Sequence, residues 1–179
     1  MNIKLAVTAV TAAVVGAFSF GVNAVQETQT IQMAANIKAP NASMVISPTA
    51  GSWPTQAQNI SWNGSVFTNP APIGFTVKST NDVTLALTST AALVDGQAQI
   101  PLAVAVKGTS SNATSVPTLS MTPSKIYDAT TNVSSAVSTY TLGITATTTG
   151  MVGADGSAVS APAPGNYTGN VSLVFESNP

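Results

Sequence analysis

The chain has 179 residues, 44% of them hydrophobic and 6% charged, with five lysines, no arginine and six acids. That balance excludes nucleic-acid binding, which needs clustered cations to neutralise phosphates, and it leaves no polybasic membrane patch. Cysteine and histidine are absent, which removes Cys–His pairs, Ser-His-Asp triads, N/S metal sites and disulfides, so neither an enzyme nor a cofactor is expected.

Residues 1–24 carry an early lysine, Lys4, then an uncharged and largely apolar run from Leu5 to Phe20. The run closes on Val22-Asn23-Ala24, a small-x-small cleavage pattern, and reads as a cleaved signal peptide with the mature chain starting at Val25. The rest alternates with period two between clusters of Gly, Pro, Asn and Asp, the pattern of strands and turns. An all-β sandwich of one domain, residues 39–179, is expected behind an N-terminal arm, residues 25–38.

In the arm, Val25, Ile31, Met33, Ala35 and Ile37 share one face, and Gln26, Thr28, Thr30, Gln32 and Asn36 the other. Glu27 and Gln29 interrupt the apolar face, so the clean stripe runs from Ile31 to Ile37. Such a segment fits two roles equally on pattern alone: the first strand of its own sandwich, or a strand donated to another molecule. In the donated role, four buried apolar knobs contribute roughly 5–10 kcal/mol before ordering costs.

A second extended stretch, residues 43–47, stops at Pro48. Residues 59–68 predict a hairpin, with Ile60-Ser61-Trp62 and Ser65-Val66-Phe67 around an Asn63-Gly64 type I′ turn. Strands are predicted over 73–79 and 83–89, the second with Val83, Leu85 and Leu87 on one face. The Asp95-Gly96 turn leads into a strand over 99–107, with Ile100, Leu102, Val104 and Val106 inward. Residues 108–117 and 149–164 read as loops, and 118–127 as short strand pieces around Pro123. Residues 137–147 form a strong strand with Tyr140, Leu142, Ile144 and Ala146 aligned. The last stripe, over 166–175, holds Tyr167, Gly169, Val171, Leu173 and Phe175.

Asp82, Asp95, Asp128 and Asp155 all occupy turn contexts, where a carboxylate caps the local backbone, and none has the dense spacing of a Ca²⁺ loop. Trp62 is expected beside the core. Trp53, in a loop between Ser52 and Pro54, is a candidate exposed aromatic, though without the acid and amide cluster that fixes a sugar.

The C-terminal run 161–175, with Gly165-Asn166-Tyr167-x-Gly169-x-Val171-x-Leu173 at its heart, resembles the closing strand of major pilins of the alpha (class 5) chaperone–usher fimbriae. Colonisation factor antigen I typifies that family, which is taken to include cable pili. The match covers about fifteen residues and, more loosely, the arm. The resemblance implies an immunoglobulin-like sandwich that lacks its last strand. It implies a donor strand made of Val25, Ile31, Met33, Ala35 and Ile37. It also implies an acceptor groove and chaperone-binding edge lined by Tyr167, Val171, Leu173 and Phe175. The implied partners are further copies of the chain, head to tail, a periplasmic chaperone, an outer-membrane usher and a minor tip adhesin. The implied destination is a surface fimbrium that supports adhesion to host cells. A shaft subunit or adhesin that itself binds glycans or proteins, and a secreted β-sandwich unrelated to pili, are the alternatives.

Overall fold

The computed structural model describes residues 25–36, 44–131 and 136–178. The expected signal peptide, together with Ile37 and Lys38 of the arm, lies outside the described residues.

The described residues form strands and connecting turns, with no helix among them. In chain order the strands are β1 (Val25–Asn36), β2 (Met44–Pro48), β3 (Gln58–Trp62), β4 (Phe67–Thr68), β5 (Ile73–Ser79) and β6 (Asp82–Leu87). They continue with β7 (Ala92–Asp95), β8 (Ala98–Gly108), β9 (Ser124–Tyr127), β10 (Ser138–Ala146) and β11 (Thr168–Asn178).

One layer has the order β2-β5-β10-β8, all antiparallel. The other runs β4-β3-β1-β11, with β6 and β7 sharing the far edge of β11 and β9 outside β6. Strand β8 belongs to both layers. Its first residues pair with β7, and from Leu102 onward it pairs with β10. Pro101, which has no N–H to donate, marks that crossing, and its carbonyl accepts the Thr147 amide at 3.0 Å. The result is an open immunoglobulin-like sandwich.

The period-two pattern explains the core. Ile100, Leu102, Val104 and Val106 of β8 are buried, as are Tyr140, Leu142 and Ile144 of β10, whereas the residues between them are not. Alternation puts these stripes on the inner faces, and burial of their apolar area supplies the main stabilisation. Three tyrosines lie inside with their hydroxyls on backbone carbonyls: Tyr127 shares its one proton between Ser79 and Ala136, Tyr140 donates to Ile126, and Tyr167 to Ala163.

Several sequence expectations change. The hairpin at 59–68 forms, but the Trp62↔Phe67 register leaves four residues in its loop rather than two. The Asn63 side chain accepts the amides of Ser65 and Val66, at 3.0 and 2.9 Å, and Gly64 takes a φ of +97°. An Asx-type turn thus replaces the expected type I′ turn. Strand β7 is not predicted by the sequence pattern. Within the loop at 149–164, Met151 is buried and Val152 bridges both Gln99 and Ala158. The loop therefore packs along β8.

Candidate assembly groove

The C-terminal strand has two edges with different partners. On one, Leu173–Asn178 pairs with β6 and Thr168 with Val94 of β7. On the other lies β1, parallel to β11, with Thr28↔Thr168 at one end and Asn36↔Glu176 at the other. The N-terminal half of β1 also pairs antiparallel with β3, from Val25↔Trp62 to Gln29↔Gln58. The strand thus occupies a slot between β11 and the β3–β4 hairpin. Without it the layer divides into two pieces.

The register aligns Ile31, Met33 and Ala35 with Val171, Leu173 and Phe175, and Val25 with Trp62. Ile37, the remaining candidate donor residue, lies outside the described residues. Tyr167, Val171, Leu173 and Phe175 are each no more than 2% exposed, so all four line the core side of β11 and its entry. The opposite wall was not anticipated from sequence. It is β3, whose Ile60 is fully buried between exposed Asn59 and Ser61. That alternation is visible in the hairpin, but the pairing of β3 with β1, from Val25↔Trp62 to Gln29↔Gln58, is not.

Each part of the Gly165-to-Val171 motif has a packing reason. A Cβ on Gly165 would overlap the Asp95 carboxylate, which accepts the Asn166 amide at 3.0 Å. Tyr167 turns inward and donates to the Ala163 carbonyl at 3.1 Å. A Cβ on Gly169 would overlap the carbonyl oxygen of Ala92, the first residue of β7. The motif is therefore a docking sequence that seats the start of β11 against β7.

Behind the slot, Phe175 meets Phe75 of β5 edge-on at 5.7 Å, and Phe75 stacks on Tyr140 at 5.1 Å. This aromatic group ties the two layers together at the depth of the slot. Trp53 joins it, 6.1 Å from Phe75. The candidate exposed aromatic is therefore half-buried, because its loop folds back over β5. Trp62 is also half-buried, its ring 4.7 Å from Phe67.

The four turn aspartates act on backbone and on one lysine. Asp82 accepts the Ala129 amide, Asp128 the Thr130 amide and hydroxyl, and Asp155 those of Ser157. Lys125 bridges Asp128 at 2.8 Å and Asp82 at 3.3 Å, clasping β9 to β6. These bonds, first from the Lys125 ammonium and then from Thr130, hold the Asp128 carboxyl well below the usual range, and Lys125 is raised in return. The Ser157 hydroxyl likewise lowers Asp155. Among the described residues no three acids converge as metal ligands. The chemistry present is backbone pairing and apolar burial, which suits strand capture.

A family profile described as "CS1 type fimbrial major subunit" matches residues 27–176, which span the slot, both its walls and the whole sandwich. No curated protein matches the chain. The profile agrees with the likeness of the C-terminal run to pilins of the colonisation factor antigen I type. The chain belongs to the CS1-type fimbrial major subunits.

Proposed function

We propose that this chain is the shaft subunit of a chaperone–usher fimbria and that its copies are joined by exchange of β1. A fimbrial major subunit is a structural component of a surface fibre built from copies of itself. On this proposal residues 1–24 direct export and are removed. A periplasmic chaperone strand then holds the slot between β11 and β3, and at the outer-membrane usher the arm of the next subunit replaces it. A minor tip adhesin ends the fibre, which supports adhesion to host cells.

One observation carries this reading: among the described residues β1 makes its strand pairs with β11 and β3 alone, so a single segment at the start of the domain completes the layer. Such a segment can be supplied by another chain with the same backbone bonds and the same side-chain register. An apolar edge like that of β11, left bare, would invite uncontrolled association, so the slot needs a strand at every stage. Donor and acceptor surfaces differ, and a heterologous contact of that kind propagates into a fibre rather than closing a dimer.

The test is deletion of residues 25–37 in cells that carry the assembly machinery. Fibres should be lost, and appending the same segment after Pro179 should give a soluble monomer. Undiminished fibres from the deleted chain would overturn the exchange.

A further inference from the structure

The direction of β1 has a topological consequence. Running parallel to β11, it leaves the slot at Asn36, beside Glu176. One residue pair beyond the Ser177↔Val83 step, Asn178 faces Asp82, the first residue of β6. Only Thr80 and Asn81 separate Asp82 from Ser79 at the end of β5, and Ser79 pairs with Met44, where β2 begins. The exit of β1 and the entry to β2 therefore lie at the same end of the sandwich, one in each layer.

Seven residues, 37–43, join them. The eight Cα steps from Asn36 to Met44 reach at most roughly 29 Å, and the layers are about 10 Å apart, so the link is comfortable. Were the arm reversed in the same slot, Asn36 would lie near Thr168, at the far end of β11. The eight residues from there to Glu176 cover about 26 Å, so even a straight line to β2 through the core measures roughly 28 Å. A path around the outside is longer than the link can span. Within one chain the arm fits in the parallel sense only.

We infer that β1 seated in its own slot is a resting form of the free subunit, in which arm and groove occupy each other and neither is available to a neighbour. This rests on the reading of β1 as the exchanged strand. Tethering gives the arm an effective concentration in the millimolar range at its own slot, so dilute subunits hold themselves closed. A neighbour's arm carries the same residues and is not held by the link, so at high subunit concentration it can replace the intrachain arm in the same slot and the same register. The closed form is thus kinetically favoured and gives way to exchange, a domain swap in which every intrachain contact has an interchain counterpart.

The absence of native cysteine makes the test direct. Thr30 and Asn170 are register partners in the parallel arrangement, so Thr30→Cys with Asn170→Cys should form an intrachain disulfide when the purified subunit is refolded dilute and oxidised. The locked chain should give at least tenfold fewer fibres in a polymerisation assay, and reductant should restore the parental yield, which also shows that the variant folds. Thr30→Cys with Val174→Cys places the thiols four residues apart along β11, about 13 Å, too far for a disulfide, and should stay unlinked. Where the first pair fails to refold, Thr28→Cys with Thr168→Cys reads the same register. Free thiols in the folded monomer, equal closure of the Val174→Cys pair, or full polymerisation of the locked chain would each overturn the resting form. The exchange reading stands or falls separately: if the chain lacking residues 25–37 makes no fibres while the register pair stays unlinked, the resting form alone is lost.

Discussion

Asp95 and Asn166 are 71 residues apart in sequence, yet the Asp95 carboxylate accepts the Asn166 amide at 3.0 Å. An acid at the end of β7 thereby fixes the residue that leads into β11, the strand that forms one wall of the slot. The same carboxylate fills the space a side chain at Gly165 would take. Asp95→Ala should lower stability by about 1–2 kcal/mol in urea unfolding, toward the low end of the roughly 1.5–3 kcal/mol of a bond to a charged group because Asp95 is exposed. Asp95→Asn, which keeps an acceptor oxygen, should lose about half as much. If the two variants unfold together at the parental midpoint, the clamp contributes nothing.

Gly169 is constrained by backbone rather than by conformation. An added methyl there would overlap the Ala92 carbonyl, and a carbonyl in a paired strand cannot swing aside. Gly169→Ala should therefore break the Thr168↔Val94 contact and cost about 2–3 kcal/mol. Gly143, in the middle of β10, has no atom within 4 Å of its would-be Cβ. Gly143→Ala should change the urea midpoint by less than about 0.5 kcal/mol in free-energy terms. Equal tolerance at both positions would show that the start of β11 is not held against β7.

Buried Tyr140 bears on pH. Burial of the Tyr140 phenol in the core pushes its pKa up to about 12, against about 10 in an unfolded chain. Its support for the fold is complete below about pH 10 and fades as the pH rises through about 12. The raised Lys125 acts in the same direction at the alkaline end. Asp128, lowered by Lys125, favours the folded state above the ordinary carboxylate range and loses that effect as the solution is acidified. The Lys125 pair is solvent-exposed and contributes little. The urea midpoint should stay nearly flat from about pH 5 to about pH 9 and fall beyond about 10. Tyrosinate absorbance followed in parent and Tyr140→Phe should show one late-titrating phenol missing from the variant. A Tyr140 that ionises near its free value in the folded chain would contradict the burial.

Much of this architecture could be read in advance because it is written in period two. The stripes Ile100–Val106 and Tyr140–Ile144 alternate long enough to announce their faces, and both are core. Strand β7 could not be read in the same way. Four residues with Leu93 buried and Val94 and Asp95 exposed hold too little alternation, and β7 exists because β8 and β11 pair on either side of it. The same reason hid the second wall of the slot: Ile60 looks like an ordinary hairpin residue until β1 bridges it to β11. The loop position of Trp53 is legible from Ser52 and Pro54, but local sequence carries no trace of Phe75, its aromatic partner. The Gly-rich motif before Val171 was visible as a resemblance, while its cause, a carbonyl and a carboxylate from β7, is long-range.

The arm offers the most selective perturbation. Ala35 stands at the register position of Phe175, the wall residue that meets Phe75 between the layers. If exchange places the arm in that slot, a charge introduced at this small residue must enter an apolar site without a partner, a cost of several kcal/mol that no neighbouring group offsets. Ala35→Glu should therefore abolish fibres. The slot itself is unaltered by the substitution, so a chaperone strand should still occupy it, and the chaperone-bound monomer should be recovered in parental amounts. Fibres and chaperone complex are measured in the same cells, by electron microscopy and by co-purification. Equal loss of both species would mean that Ala35 serves folding rather than exchange, and parental fibres would mean that the apolar face of β1 is not what the slot receives.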